Sequence, residues 1–121
     1  MDYRFLGRTG LRVSAVTLGA MTFGEGRPGA YSVQQLGVGT ARELVATALD
    51  AGVNLVDTAD AYGGGTSEEV LGAALGSRRG DVLIATKLHQ RVGPGPNDIG
   101  SSRHNIIRAC EGSLRRLGTD Y

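Results

Sequence analysis

The sequence has no tryptophan, one cysteine and three prolines in 121 residues, and aromatic residues make up only 5% of it. A single cysteine, Cys110, cannot close an internal disulfide, so a stapled secreted scaffold is excluded and a reducing, cytoplasmic setting is expected. No apolar run approaches the roughly 20 residues needed to cross a bilayer, which argues against a membrane partner. Charge of one sign is lacking too. With 13 basic and 12 acidic residues the formal charge is +1, which offers no electrostatic footprint for nucleic acid. The N-terminal "MDYRFLGRTG" has neither the apolar core of a signal peptide nor the basic amphipathic pattern of a transit peptide. There is no low-complexity stretch and no internal repeat.

What the chain does have is glycine, 20 of them. Most fall between apolar segments, where they act as punctuation. Two short runs flank Gly7-Arg8-Thr9-Gly10, which predicts a hairpin. A first main strand is expected at about Ala15 to Leu18, followed by a glycine-bearing connection from Gly24 to Gly39. Thr40 with Glu43 three residues on predicts a capping box opening a helix to about Ala51, with Ala41, Leu44, Val45, Ala48 and Leu49 at helical spacing. Val53 to Asp57 reads as a second strand. Ser67 is the expected cap of a second helix, whose inner face is Val70, Leu71, Ala74 and Leu75. "DVLIATK" is a third strand ending at Lys87. After a long loop, Ser101 or Ser102 starts a third helix with Ile107, Cys110, Leu114 and Leu117 on its apolar face and Gly118 as its C-cap. Strands alternating with helices imply an α/β fold with parallel pairing and right-handed crossovers.

The apolar run in "VNLVDTADAYGGGTSEEVLGAAL" ends on a carboxylate, Asp57, with a tyrosine, Tyr62, five residues later. In parallel sheets, functional groups gather at the carboxyl ends of strands. Side chains alternate along a strand, so Asp57 shares a face with Leu55 and Val53, and Lys87 shares one with Ala85 and Leu83. Adjacent strands would bring Asp57 and Lys87 together, with Tyr62 nearby. A phenol is a weak proton donor near neutrality, and an ammonium beside it favours the phenolate and eases release of the proton. An Asp-Lys-Tyr cluster can therefore protonate an oxygen on which negative charge develops, as carbonyl reduction requires.

"VDTADAYGGGTSEEVLGAAL" followed by "DVLIATK" resembles the aldo-keto reductase superfamily. "YRFLGRTGLRVSAVTLGAMTFG" is similar to that family's hairpin and first strand, and "SRHNIIRACEGSLRRLGTDY" to the helix before its fourth strand. The resemblance implies an N-terminal hairpin plus the first three βα units of a (β/α)8 TIM barrel, truncated before strand four. Residues 1–121 would then be a single partial domain. It implies that Tyr62 is the general acid/base, that Lys87 activates it and that Asp57 supports Lys87. Gly19, Ala20 and Met21, with Asp57, match the segment near the cofactor, which the family implies is NADP(H). The implied substrate is a small carbonyl compound or alcohol. The family's fourth catalytic residue, a histidine at the end of strand four, and its phosphate-holding loops fall beyond Tyr121 in this pattern. The chain alone is therefore expected to be inactive, with an incomplete cofactor site and open strand edges that favour self-association. Two alternatives remain open: a nicotinamide-binding regulatory subunit of the same fold, and a non-catalytic truncated product.

Other residues have plainer readings. His89 and His104 read as solvated, Cys110 as a small core residue and Gly63 to Gly65 as turn formers. Glu68 and Glu69 read as complements to a helix dipole, and Arg78-Arg79 and Arg115-Arg116 as cations at helix ends. None of these suggests a metal site.

Overall fold

A computed structural model describes residues 1–24 and 35–121. The expected connection from Gly24 to Gly39 therefore lies mostly outside the described residues. Strands β1 (Tyr3–Phe5) and β2 (Arg12–Ser14) pair antiparallel as the predicted hairpin. Gly7 and Gly10 both take positive φ in its loop, which side chains disfavour. The hairpin is tied to the rest of the molecule by Asn54, which accepts from Ser14 N at 2.7 Å and donates to the Arg12 carbonyl at 3.0 Å.

Three parallel strands follow in chain order, β3 (Leu18–Gly19), β4 (Leu55–Asp57) and β5 (Leu83–Ala85). All are shorter than the sequence suggests. The first was expected from Ala15, but Ser14 Oγ donates to the Val16 carbonyl at 2.6 Å and bends the chain there, so the ladder starts at Leu18. The register places Gly19 opposite Asp57, and Asp57 opposite Ala85.

Helices α1 (Val38–Asp50), α2 (Thr66–Leu75) and α3 (Arg103–Leu117) complete the alternation. α1 packs on α2 and α2 on α3. Val56, Leu71, Val45, Phe23 and Ala20, all almost fully buried, form the centre of the core between helices and sheet. Gly72 lets α2 lie directly against the end of α3, since a Cβ there would collide with the Leu117 carbonyl. Among the described residues no helix is long and apolar enough to cross a membrane.

Several expected boundaries change. α1 starts at Val38 with Gly37 as N-cap, not at Thr40, because Leu36 and Val38 pack against the core and draw the helix back. α2 is capped by Gly65, and Ser67 lies inside the helix with its side chain buried. Ser102 caps α3 as expected, its Oγ accepting from Asn105 N at 3.2 Å, and Gly118 ends it at φ 65°. The buried face of α3 matches the predicted one only in part, at Leu117 and at the half-buried Leu114. Asn105, Gly112, Ser113 and Leu117 turn inward, while Ile107 and Cys110 are exposed. The charged clamp from Arg116 to α2 fixes the rotation of α3, and the Ile107 and Cys110 part of the apolar stripe turns outward.

Candidate functional site

The site grows from the carboxyl ends of β4 and β5. Val56 points into the core, so Asp57, the next residue, faces the other side of the sheet. Lys87 lies two residues beyond Ala85, the ladder partner of Asp57, and therefore faces the same side. Its Nζ is 2.8 Å from Asp57 Oδ2 and donates to the Thr58 carbonyl at 2.6 Å, which uses two of its three N–H donors. Both side chains of the pair are close to half exposed, so its contribution is geometric more than energetic.

Tyr62 opens the 3-10 turn Tyr62–Gly65, in which Gly63, Gly64 and Gly65 have φ of 57°, 63° and 97°. Three consecutive left-handed residues are affordable only to glycine. That turn carries the Tyr62 ring back over the strand ends, with Lys87 Nζ 5.0 Å from its centroid. The glycine run is thus a turn former, as expected. Met21, Ala59, Ala61, Tyr62, Lys87 and Leu88 line a cleft of about 340 Å³ around these groups.

The residues matched to a cofactor fare unequally. Gly19 is exposed beside Asp57, and a Cβ on it would meet nothing within 4 Å. Met21 is 40% exposed and lines the cleft. Ala20 is fully buried and presents no surface; its N donates to the Asp57 carbonyl at 2.8 Å and holds the two strand ends together. His89 is exposed, with Nδ1 3.1 Å from Ser101 Oγ, and His104 is exposed on α3.

Behind the site lies a buried polar network that sequence reasoning missed. Glu68 lies in the first turn of α2, as its reading as a dipole complement expects, and is in addition fully buried. Its Oε1 accepts from Thr86 Oγ1 and its Oε2 from Arg116 Nε, each at 2.6 Å. The signal was present: Glu68 sits three residues before Leu71 and seven before Leu75, on the inward stripe of α2. Asp60 is also buried, and its Oδ1 has no hydrogen-bond partner. Burial raises its carboxyl above the ordinary value, the Glu68 charge adds to this, and Arg116 and the Ala61 N–H oppose it. Among the described residues, no group of three or more His, Cys, Asp or Glu side chains is placed to hold a metal ion.

Comparison with known proteins now adds to this geometry. Residues 15–121 match the family model of the aldo/keto reductase family. The whole chain is 46% identical to a probable voltage-gated potassium channel subunit beta from Oryza sativa subsp. japonica, of which it covers 35%. It is 41% identical to YrpG, an uncharacterized oxidoreductase of Bacillus subtilis (strain 168), and covers 38% of it. The chain thus spans little more than a third of the length of these curated relatives. A solved structure described as a candidate aldo-keto reductase from Pseudomonas aeruginosa superimposes on 98% of the chain with a TM-score of 0.79 at 38% identity, and the chain covers 44% of it. The parallel α/β arrangement found here matches that part of the known barrels. With the family model matched over nearly its entire length, this chain belongs to the aldo/keto reductase family.

Proposed function

We propose that this chain is the N-terminal portion of an NADP(H)-dependent aldo-keto reductase, an oxidoreductase of carbonyl compounds and alcohols. The observation that carries the reading is the position of Lys87 Nζ, bonded to Asp57 on one side and facing the Tyr62 ring on the other. In this reading Tyr62 protonates the carbonyl oxygen as charge builds on it. Lys87 places its positive charge beside the phenol as negative charge passes to it, and Asp57 holds the ammonium in place. Gly19 and Met21 would flank the nicotinamide ring, which when bound supplies the hydride. The Thr58 carbonyl, accepting from Lys87 at 2.6 Å, is a second hold on the ammonium.

The test is NADPH oxidation with a reactive aldehyde, on this chain and on any longer product encoded by the gene beyond residue 121. Tyr62→Phe should lower turnover by about 10²–10⁴-fold, the usual share of a general acid, with cofactor binding largely kept. Undiminished turnover in that variant would remove Tyr62 from its role.

A second reading, a nicotinamide-binding regulatory subunit, draws on the name of the rice relative. It separates from the first cleanly. A regulatory module keeps its nicotinamide affinity and its effect on a partner when Tyr62 is replaced by Phe, whereas a reductase loses its output.

A further inference from the structure

We propose that Ser67 and Glu68, consecutive residues in the first turn of α2, are positioning residues that hold the ends of all three parallel strands for the Asp57–Tyr62–Lys87 cluster. The proposal deepens the reductase reading and rests on it for the chemistry those strand ends perform.

Three contacts of this pair each fall one residue past the end of a strand. Ser67 Oγ donates to the carbonyl of Ala20, which follows Gly19 at the end of β3, at 2.6 Å. With its only proton so used, Ser67 Oγ accepts from Thr58 Oγ1 at 2.9 Å, and Thr58 follows Asp57 at the end of β4. Glu68 Oε1 accepts from Thr86 Oγ1 at 2.6 Å, and Thr86 follows Ala85 at the end of β5. Thr58 and Thr86 reach α2 on the helix side of the sheet. Their neighbours Asp57 and Lys87 therefore face the cleft. Two side chains on one helical turn grip from behind the stretch of backbone that presents the cluster in front.

The chemistry of Glu68 argues for more than docking. A fully buried carboxylate carries a large desolvation penalty, and a leucine of similar size would anchor α2 to the core without one. What the acid adds is direction: a fixed acceptor for Thr86 and a fixed partner for Arg116, whose Nε lies 2.6 Å away. Lys87 needs that direction. Its bonds of 2.8 and 2.6 Å to Asp57 and Thr58 tolerate little movement of the backbone at Thr58 or Thr86.

Lys87 is the only lysine in the chain, so amine labelling reads this site alone beside the N-terminal amine. The experiment is competitive trace acetylation of the 121-residue chain with acetic anhydride across pH, with Lys87 and the N-terminus quantified by mass spectrometry. In the native chain the bonds to Asp57 and Thr58 should protect the amine. Thr86→Val and Ser67→Ala should raise Lys87 labelling relative to the N-terminus by about threefold or more as the ion pair loosens. Thr86→Ser, which keeps the hydroxyl, should stay at the native rate. Gly10→Ala, which strains the hairpin loop at φ 81° and touches none of the three strand-end contacts, should also stay native even though it lowers the melting temperature. Should Thr86→Val fail to fold, Ser67→Ala, which removes one hydroxyl, carries the test. Native labelling in folded Ser67→Ala, or an equal rise in Gly10→Ala, would overturn the proposal. Labelling needs no turnover, so it tests the positioning apart from the reductase reading, which fails only if the longer product with Tyr62 intact reduces no carbonyl. Where turnover is measurable, Ser67→Ala should lower kcat and leave the aldehyde KM near its native value.

Discussion

Asp57 and Lys87 meet at 2.8 Å although the ladder partner of Asp57 is Ala85, two residues earlier on the neighbouring strand. The long lysine stem bridges that offset by reaching back along the face that both residues share. The pairing therefore depends on strand register: a slip of one residue would turn Lys87 to the helix side.

Asp57→Asn keeps an acceptor for Lys87 and removes the charge. Because the pair is close to half exposed, stability should change by less than about 1 kcal/mol. Reductase turnover should nonetheless fall on the order of 10²-fold, as loosened placement of a reacting group commonly does. Paired thermal melts and NADPH-oxidation rates check this, and a large loss of stability with turnover intact would contradict the assigned role.

Gly72 and Gly64 separate two reasons for glycine. A Cβ on Gly72 would run into the Leu117 carbonyl, so Gly72→Ala should destabilise by about 1–3 kcal/mol through overpacking. Gly64 has φ 63° with open space around it, so Gly64→Ala should lose only about 1–2 kcal/mol, from the left-handed backbone alone. Urea unfolding of both variants and of the double mutant gives the comparison. The effects should add, because the sites share no contact.

Asp60 gives a pH dependence of definite sign. Its folded-state carboxyl binds its proton more tightly than the unfolded chain does. Between the ordinary carboxylate value and the raised one, the native state keeps a proton that the unfolded state has lost, so stability falls as pH rises through that window. Above it the whole penalty is present. Asp60→Asn should therefore stabilise the chain at neutral pH and flatten this segment of the melting-temperature profile. A variant less stable than the native chain at every pH from about 4 to 8 would show that the buried carboxylate is on balance favourable.

Much of this was legible beforehand, and the losses have identifiable causes. Strand-end placement of Asp57 and Lys87 followed from period-2 alternation and the βα order, which tolerate errors of a residue or two in strand ends. The positive φ at Gly63, Gly64 and Gly65 was likewise readable from composition. Caps were less readable. Thr40 and Ser67 have the right chemistry, yet packing at Leu36 and Val38 and the glycine turn before Thr66 moved both helix starts upstream. Cys110 and Ile107 look like core on α3 and are exposed, because the Arg116–Glu68 pair turns the helix. Such a pairing between residues 48 apart leaves no periodic trace in sequence.

Exposed apolar surface predicts association. Ile106 and Ile107 on α3 are 43% and 41% exposed, Val16 is 59% exposed, and Leu55 and Leu83 on the cleft face of the sheet are only partly buried. Among the described residues β5 is an edge strand, and such an edge favours strand addition. Light scattering should show mass rising with concentration and broad melts. A monodisperse monomer with a sharp transition would show that these surfaces are tolerated in isolation.

The spacing of the site's contacts bears on the order in which it forms. Thr58 and Ser67 are 9 residues apart, Glu68 and Thr86 are 18, and Asp57 and Lys87 are 30. Loops of this size close with little entropic loss, and contacts near in sequence favour rapid folding. The strand-end cluster is therefore a nucleus candidate. It can assemble from the segment between β4 and β5 before the hairpin or α3 has docked, and the 48-residue closure to Arg116 then locks what is already in place.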